Sequence, residues 1–526
     1  LVAVVLAVAA LARRTGGERG AAAASWLAAL STVLARRGAF GEIDHNVTEV
    51  LGALLLALLA GAVDRRFRTD RRALLGVLLF GGGVLLALGF FAGLALSAAL
   101  VAGGFLVREL AAPEEGEGIS AVLAGGFALA ALALPLFASL RGRPDPGDPW
   151  RLGPVYVLVL AASALVSSAV ALVSFARERA ARRRAALAVA SGLVALALFV
   201  LGPPAARAGF VKGLGFVGST DRWLSTIEEF RPVTTLDPIV AILPAALAGL
   251  VLAGLALRAR AWRALPVLVP FLALLALALV QKRFLPLAAA FGAAAAGSAW
   301  TEARKTRGAR LAVTAALVAG ALAAAPRALS YAGLTLRGES VAETSAGELA
   351  GAMVRELTPE PGDPPAWGVL APWDYGHAIL RISGRAVALN NFGSFHPGFE
   401  RALAIFLETS PAKAVEELTR LKLRYVVAAY APNVVPQAAF VLRLDARRFF
   451  ADGFSLDRLP RYETTPDGER TLAVRLHLRD AAPLAGDSER ERAALARFRK
   501  LAESPEQAPG PGGAPVPFLK LFEVAP

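Results

Sequence analysis

Apolar residues fill the first three-fifths of this chain in runs near the length that crosses a bilayer core of ~30 Å. They centre on residues 1–12, 21–35, 47–63, 73–91, 93–107, 120–140, 153–176, 185–202, 238–257, 264–280, 284–300 and 309–326. The pattern predicts a polytopic helical membrane domain over residues 1–326 with about twelve transmembrane segments, two of them divided near Gly89 and Gly93. The first run opens at Leu1 without a methionine, so the natural N-terminus is expected to lie upstream. Beyond residue 326 the pattern becomes that of a globular domain, residues 327–526. Apolar stretches at 369–370, 386–389, 425–428 and 471–478 predict strands, and 397–407, 411–421 and 434–444 predict helices. Ser410 precedes Pro411 as an N-cap precedes a first-turn proline. Strands alternating with helices predict an α/β domain. Residues 489–501 read as a charged surface helix, and 507–517 as a loop rich in Pro and Gly.

Composition agrees with this division: 56% of the 526 residues are hydrophobic, 50 are Gly and none is Cys. The lack of cysteine excludes disulfides, thiolate metal sites and thiol nucleophiles. A domain of about 200 residues can bury an adequate core without disulfides.

The formal charge of +14 changes the picture only through its placement. Loops 1, 3, 7, 9 and 11 between the predicted spans carry 20 basic and 5 acidic residues. By the positive-inside rule these odd loops face the cytoplasm. The surplus is therefore a topology signal, and no nucleic-acid partner is expected. The fifth loop, with Glu109, Glu114, Glu115 and Glu117, is an acidic exception. The even loops and the C-terminal domain are then expected outside, with the lipid bilayer around the helices of an integral plasma-membrane protein.

Candidate chemistry lies on that outer side. Loop 2 holds Asp44, His45, Asn46 and Glu49; loop 8 holds Thr226, Ile227, Glu228 and Glu229; loop 10 holds Lys282 and Arg283. In the soluble domain, Trp373-Asp374-Tyr375-Gly376 follows a short apolar run and precedes an amphipathic one. This reads as strand, turn and helix, with the aromatic and the acid exposed at the strand's carboxyl end, where α/β sheets bind ligands. Each group also has a structural role open to it. Asp44 and Glu49 suit the cap of the helix near Val47, and Glu228–Glu229 a solvated pair. Arg283 suits a snorkelling position, and Asp374 an N-cap beside a core Trp373. Asn46-Val47-Thr48 is formally a glycosylation sequon at a membrane boundary, and His45, His377 and His396 are too scattered for a histidine metal site.

Taken together these motifs resemble the catalytic subunit of oligosaccharyltransferase, of the prokaryotic single-subunit type, whose signature is WWDYG. That resemblance implies a GT-C-like membrane domain and transfer of a glycan from a polyprenyl-diphosphate carrier to the side-chain amide of asparagine in an Asn-x-Ser/Thr acceptor polypeptide. It also implies roles for residues. Asp44 and, more weakly, Asn46 match the family's metal-binding acidic motif, for Mg²⁺ or Mn²⁺. Thr226-Ile227-Glu228-Glu229 matches the Thr-Ile-x-Glu motif of the long external loop, which assigns Glu229 to the acceptor amide and makes it a possible further metal ligand. Arg283 matches the arginine that faces the donor pyrophosphate, and Trp373, Asp374 and Tyr375 match the pocket for the acceptor Ser/Thr. Residues 385–391, 423–427 and 520–523 continue the likeness.

The sequence departs from the pattern where Pro372 replaces the first tryptophan and Asn46 replaces a stronger ligand. The family's first external loop, with another catalytic Asp, would precede Leu1. These departures leave open a different polyprenyl-linked sugar transferase or an inactive homologue. A transporter would instead need polar residues near mid-membrane, and the apolar runs carry almost none.

The chemistry itself calls for such residues. An amide lone pair is delocalised into its carbonyl, with a rotation barrier of roughly 18–20 kcal/mol in peptides. Carboxylates accepting both amide hydrogens, Glu229 among them, could twist the C–N bond and localise that pair. A cation and a fixed arginine suit the charge that develops on the leaving diphosphate.

Overall fold

The computed structural model describes residues 1–31, 45–66, 72–112, 118–140, 154–175, 182–202, 261–303, 346–360, 364–390, 398–454 and 461–525, with isolated positions between them. The chain packs as two compact units, residues 1–220 with 227–341, and residues 221–226 with 342–526.

The first unit is helical: α1 (Val2–Leu30), α2 (His45–Arg66), α3 (Ala73–Phe90), α4 (Leu94–Ala111), α5 (Ile119–Ser139), α6 (Pro154–Phe175), α7 (Arg182–Leu201), α8 (Leu265–Val280) and α9 (Leu285–Ala303). Among the described residues six helices are long and apolar enough to cross a membrane: Val47–Arg66, Ala73–Phe90, Leu94–Ala111, Ile119–Ser139, Pro154–Ser174 and Trp262–Val280. The larger number expected from the sequence includes runs that lie partly outside the described residues. The expected break near Gly89 and Gly93 falls between Phe90 and Leu94. The expected first loop is different. The chain stays helical through Arg13, Arg14 and Arg19, and the interruption is confined to Gly17 at φ 64°, ψ −166°. Charged side chains do not break a helix, whereas a left-handed φ does.

Polar groups sit at helix ends and are paired. Arg108 donates to both carboxylate oxygens of Asp64 at 3.1 and 2.6 Å, and both side chains are buried. Glu109, also buried, accepts hydrogen bonds from the backbone N–H groups of Gly118 and Ser120 at 3.2 and 2.8 Å and from the Ser120 hydroxyl. That part of the acidic fifth loop therefore caps the start of α5.

The second unit contains α10 (Ala346–Leu357), β1 (Gly368–Leu370), α11 (Trp373–Ser383), β2 (Ala386–Val387), α12 (Phe399–Leu407), α13 (Pro411–Arg420), β3 (Leu423–Ala429), α14 (Ala431–Val441), α15 (Pro466–Arg470), α16 (Leu472–Arg479), α17 (Glu489–Leu495), β4 (Phe498–Glu503), β5 (Gln507–Pro509), β6 (Pro515–Pro517) and β7 (Leu519–Val524). The main sheet has the order β2-β1-β3-β7-β4, parallel among the first three strands and antiparallel at β3–β7 and β7–β4. β5 and β6 form a hairpin within the stretch expected to be loop.

Two further expectations fail here. Residues 471–478 form a helix rather than a strand. Thr471 to His477 are all buried, so burial on every side erases the periodicity that separates helix from strand. Arg475 in that helix holds Asp487 through two hydrogen bonds of 2.6 and 2.9 Å, both side chains 1% exposed. The charged helix expected to reach residue 501 ends at Leu495. It opens on a capping box between Ser488 and Glu491, and the chain then turns into edge strand β4. Arg499 and Lys500 lie exposed on that edge, which suits the need to discourage further strand pairing.

Candidate functional site

Two sets of predicted residues are described, one in each unit. In the second unit the chain leaves β1 at Leu370, passes Ala371 and Pro372, and enters α11 at Trp373. Pro372 takes the N-cap position with φ −52° and ψ 143°, a geometry its ring favours and one that needs no N–H. Trp373 and Asp374 thus occupy the first helical turn rather than an exposed turn before it, and Asp374 is not the N-cap. An acid in that turn is favoured by the helix dipole.

Trp373 is 2% exposed. Its ring packs against Phe399 of α12, centroids 6.1 Å apart. The exposed tryptophan expected from the sequence is therefore corrected to a buried one, while Asp374 is exposed and Tyr375 half-buried. Among the described residues the Trp373 indole N–H meets no acceptor at full hydrogen-bond geometry, the neighbouring Asp374 carboxylate giving only a weak contact. A buried donor left unmade costs about 1–3 kcal/mol.

The glycine of the motif is fixed by a close approach. A Cβ on Gly376 would run into the Leu389 carbonyl oxygen and stand 2.8 Å from Asn390 Cα. Leu389 and Asn390 follow β2, and both are buried. α11 can lie on that segment only because residue 376 lacks a side chain. Trp373, Asn390 and the start of α14 after β3 all sit at the carboxyl end of the parallel strands, where this class of sheet leaves room for a ligand.

In the first unit, Arg283 lies in a short 3₁₀ turn, Lys282–Phe284, between α8 and α9. Its side chain is 7% exposed and faces Glu49, 5% exposed, with Nη2 3.7 Å from Oε2. The guanidinium also lies over the Phe284 ring, 5.4 Å from its centroid. Glu49 stands in the first turns of α2. The second and tenth loops are thereby brought together, a juxtaposition expected only as a shared side of the membrane. The sequence suits Glu49 to a helix cap, whereas the structure sets it against Arg283. The available signal was a lone acid one helical turn past the acidic motif, at the head of an apolar helix.

Asp44 and Glu229 lie outside the described residues, as does the side chain of Asn46. Among the described residues no group of three or more His, Asp or Glu side chains could hold a metal ion.

No protein-family profile matches the chain. Two curated proteins of Archaeoglobus fulgidus align with part of it. Dolichyl-phosphooligosaccharide-protein glycotransferase 2 is 28% identical over 120 residues, 23% of this chain and 19% of the relative. Dolichyl-phosphooligosaccharide-protein glycotransferase 1 is 30% identical over 124 residues, 24% of this chain and 20% of the relative. The matched segment thus spans about a fifth of either relative. The structural likeness is wider. The archaeal oligosaccharyltransferase AglB from the same organism, solved with an inhibitory peptide and a dolichol-phosphate, superposes with a TM-score of 0.72 at 18% identity, covering 99% of this chain and 76% of AglB. The A. fulgidus oligosaccharyltransferase solved with Zn and sulfate gives 0.66 at 17% identity, covering 99% and 75%. The fold is that of archaeal oligosaccharyltransferase.

Proposed function

We propose that this chain, built on the AglB-type fold, is a membrane-embedded oligosaccharyltransferase. It would move a glycan from a polyprenyl-diphosphate carrier to the side-chain amide of asparagine in an Asn-x-Ser/Thr acceptor polypeptide. One observation carries the reading most directly. Trp373-Asp374-Tyr375-Gly376 opens a helix at the carboxyl end of the parallel strands of a mixed sheet, within a chain whose fold matches AglB over nearly its full length. The reading assigns residues 1–326 to a GT-C-like domain of about twelve spans and residues 327–526 to an extracytoplasmic domain. It places the site on the extracytoplasmic face of the plasma membrane.

In this reading the buried indole N–H of Trp373 and the exposed carboxylate of Asp374 recognise the acceptor Ser/Thr hydroxyl. The hydroxyl oxygen accepts from the indole and its proton is donated to the carboxylate, which relieves the buried donor. Arg283 supplies fixed positive charge toward the donor diphosphate, whose negative charge grows as the glycosidic bond breaks. Glu229 accepts from the acceptor amide. Asp44, with Asn46 and Glu229, would hold the divalent cation, Mg²⁺ or Mn²⁺, which supplies Lewis-acid stabilisation of the leaving group.

The test is glycosylation of a fluorescent Asn-x-Thr peptide by the protein in detergent with lipid-linked donor and Mn²⁺. An Asn-x-Ala peptide should react about 10- to 100-fold less well, the cost of a buried polar group left unpaired. Glu229→Gln should lose most of the transfer. Equal transfer in all three reactions would remove the roles assigned to Glu229 and Trp373.

A further inference from the structure

We infer that Glu49 is a positioning residue for the donor site, holding the Arg283 guanidinium in the orientation that meets the diphosphate of the lipid carrier. The inference rests on the functional reading above for the identity of that ligand, and on the geometry of the first unit for everything else.

Arg283 and Glu49 come from helices more than two hundred residues apart in sequence, and each side chain is almost wholly buried. Their closest approach, 3.7 Å, is an ionic contact and too long for a direct hydrogen bond. Phe284 covers one face of the guanidinium. The long Arg283 side chain is thus confined from two directions, an arrangement that reduces the rotamer freedom an arginine must otherwise lose on binding an anion.

Glu49 stands in the first turns of α2, five residues after Asp44 and three after Asn46 in the sequence, the proposed cation ligands. A carboxylate here has a cost: it offsets the positive charge offered to the diphosphate. An arginine needed only for charge would be better without it. Orientation is what the pair provides, because a guanidinium recognises phosphate oxygens through a planar fork of donors.

A purely structural role, in which Glu49 only neutralises a buried cation, gives different results in a double-mutant cycle. The measurement is binding of a short-chain polyprenyl diphosphate to the full-length protein in detergent, beside transfer kinetics with varied donor and varied peptide. Glu49→Gln is expected to weaken diphosphate binding and raise the donor KM about ten- to hundred-fold, the range seen when partners that orient a binding group are removed. The peptide KM should be unchanged. Glu49→Asp, which keeps the charge on a shorter arm, should recover part of the loss and covers the case in which the amide variant does not fold. Arg283→Gln combined with Glu49→Gln should bind no more weakly than Arg283→Gln alone, because Glu49 acts through the arginine. Additive losses, or equal rises in both KM values, would overturn the assignment. Should the wild-type protein bind the diphosphate yet transfer no glycan to peptide, the oligosaccharyltransferase reading fails while the pairing is still judged from the binding cycle.

Discussion

Gly376→Ala asks whether the first turn of α11 must sit where it does. An added Cβ would enter the Leu389 carbonyl oxygen and lie 2.8 Å from Asn390 Cα. Non-bonded carbons settle at about 3.5–4.0 Å, so α11 and the Leu389–Asn390 segment must separate by roughly 0.7 Å at least. Both sides are backbone and buried, so no flexible side chain can absorb the shift. Overpacking of this kind costs about 1–3 kcal/mol. The displaced turn is the one that carries Trp373 and Asp374, and a misplacement approaching 1 Å can reduce a rate about 100-fold. Gly384→Ala is the matched control: that residue caps the same helix at φ 67° with nothing near an added Cβ. Alanine there should cost about 1–2 kcal/mol through the left-handed backbone alone. Thermal melting and peptide-transfer kinetics on both variants separate the effects. Similar losses of stability are expected, with peptide kcat/KM reduced about 10- to 100-fold in Gly376→Ala and unchanged in Gly384→Ala. A folded Gly376→Ala protein with wild-type peptide kinetics would refute the reasoning.

Asp487→Ala should destabilise the second unit by about 3–5 kcal/mol, because it strands the buried Arg475 guanidinium; replacing the pair together by Met and Leu should recover most of that in thermal melts. Asp64→Ala should do the same to the first unit through Arg108, again reversed by a paired apolar replacement and read from detergent melting curves. His477 gives a pH dependence. Its Nε2–H donates to the Pro517 carbonyl at 2.8 Å, its Nδ1 accepts from the Tyr462 hydroxyl at 3.2 Å, and burial pushes its pKa from 6.5 down to about 4. The unfolded chain therefore binds the proton first, so this contribution is complete above pH 6.5 and is lost as pH falls toward 4, about 2 kcal/mol of it by pH 5; His477→Gln should flatten that part of the pH profile of unfolding.

Much of this architecture is legible in the sequence wherever one physical cause dominates. Apolar length alone locates α2 through α6, and Gly89 and Gly93 flank the break between α3 and α4. The strands β1, β2 and β3 are short apolar runs between turn signals and were expected within a few residues of where they form. Failures occur where two causes compete. Arginine-rich residues 13–20 signal a loop by solvation, but only Gly17 changes the backbone. Residues 471–478 read as a strand, yet Thr471 to His477 are all buried and the helix is held by the buried pairing of Arg475 with Asp487.

The candidate site divides along the same line. Trp373 to Gly376 stand out because a strand end, a proline and a small residue must coincide for α11 to start where it does, and each leaves a mark in the sequence. The burial of Trp373 left none, since it depends on Phe399 arriving from another element. Arg283 was visible as a basic residue between two apolar runs, a position equally suited to snorkelling. What distinguishes the two roles is the partner, and a snorkelling arginine would turn its guanidinium to water, whereas this one is buried against Glu49. Charge placement could say only that both residues belong to the same side of the membrane. Their pairing requires α2 and the turn before α9 to meet in space, a tertiary fact that no local pattern encodes. A buried acid–arginine pair at the head of apolar helices is costly to assemble, and the proposed orienting of the Arg283 guanidinium by Glu49 gives that cost a function.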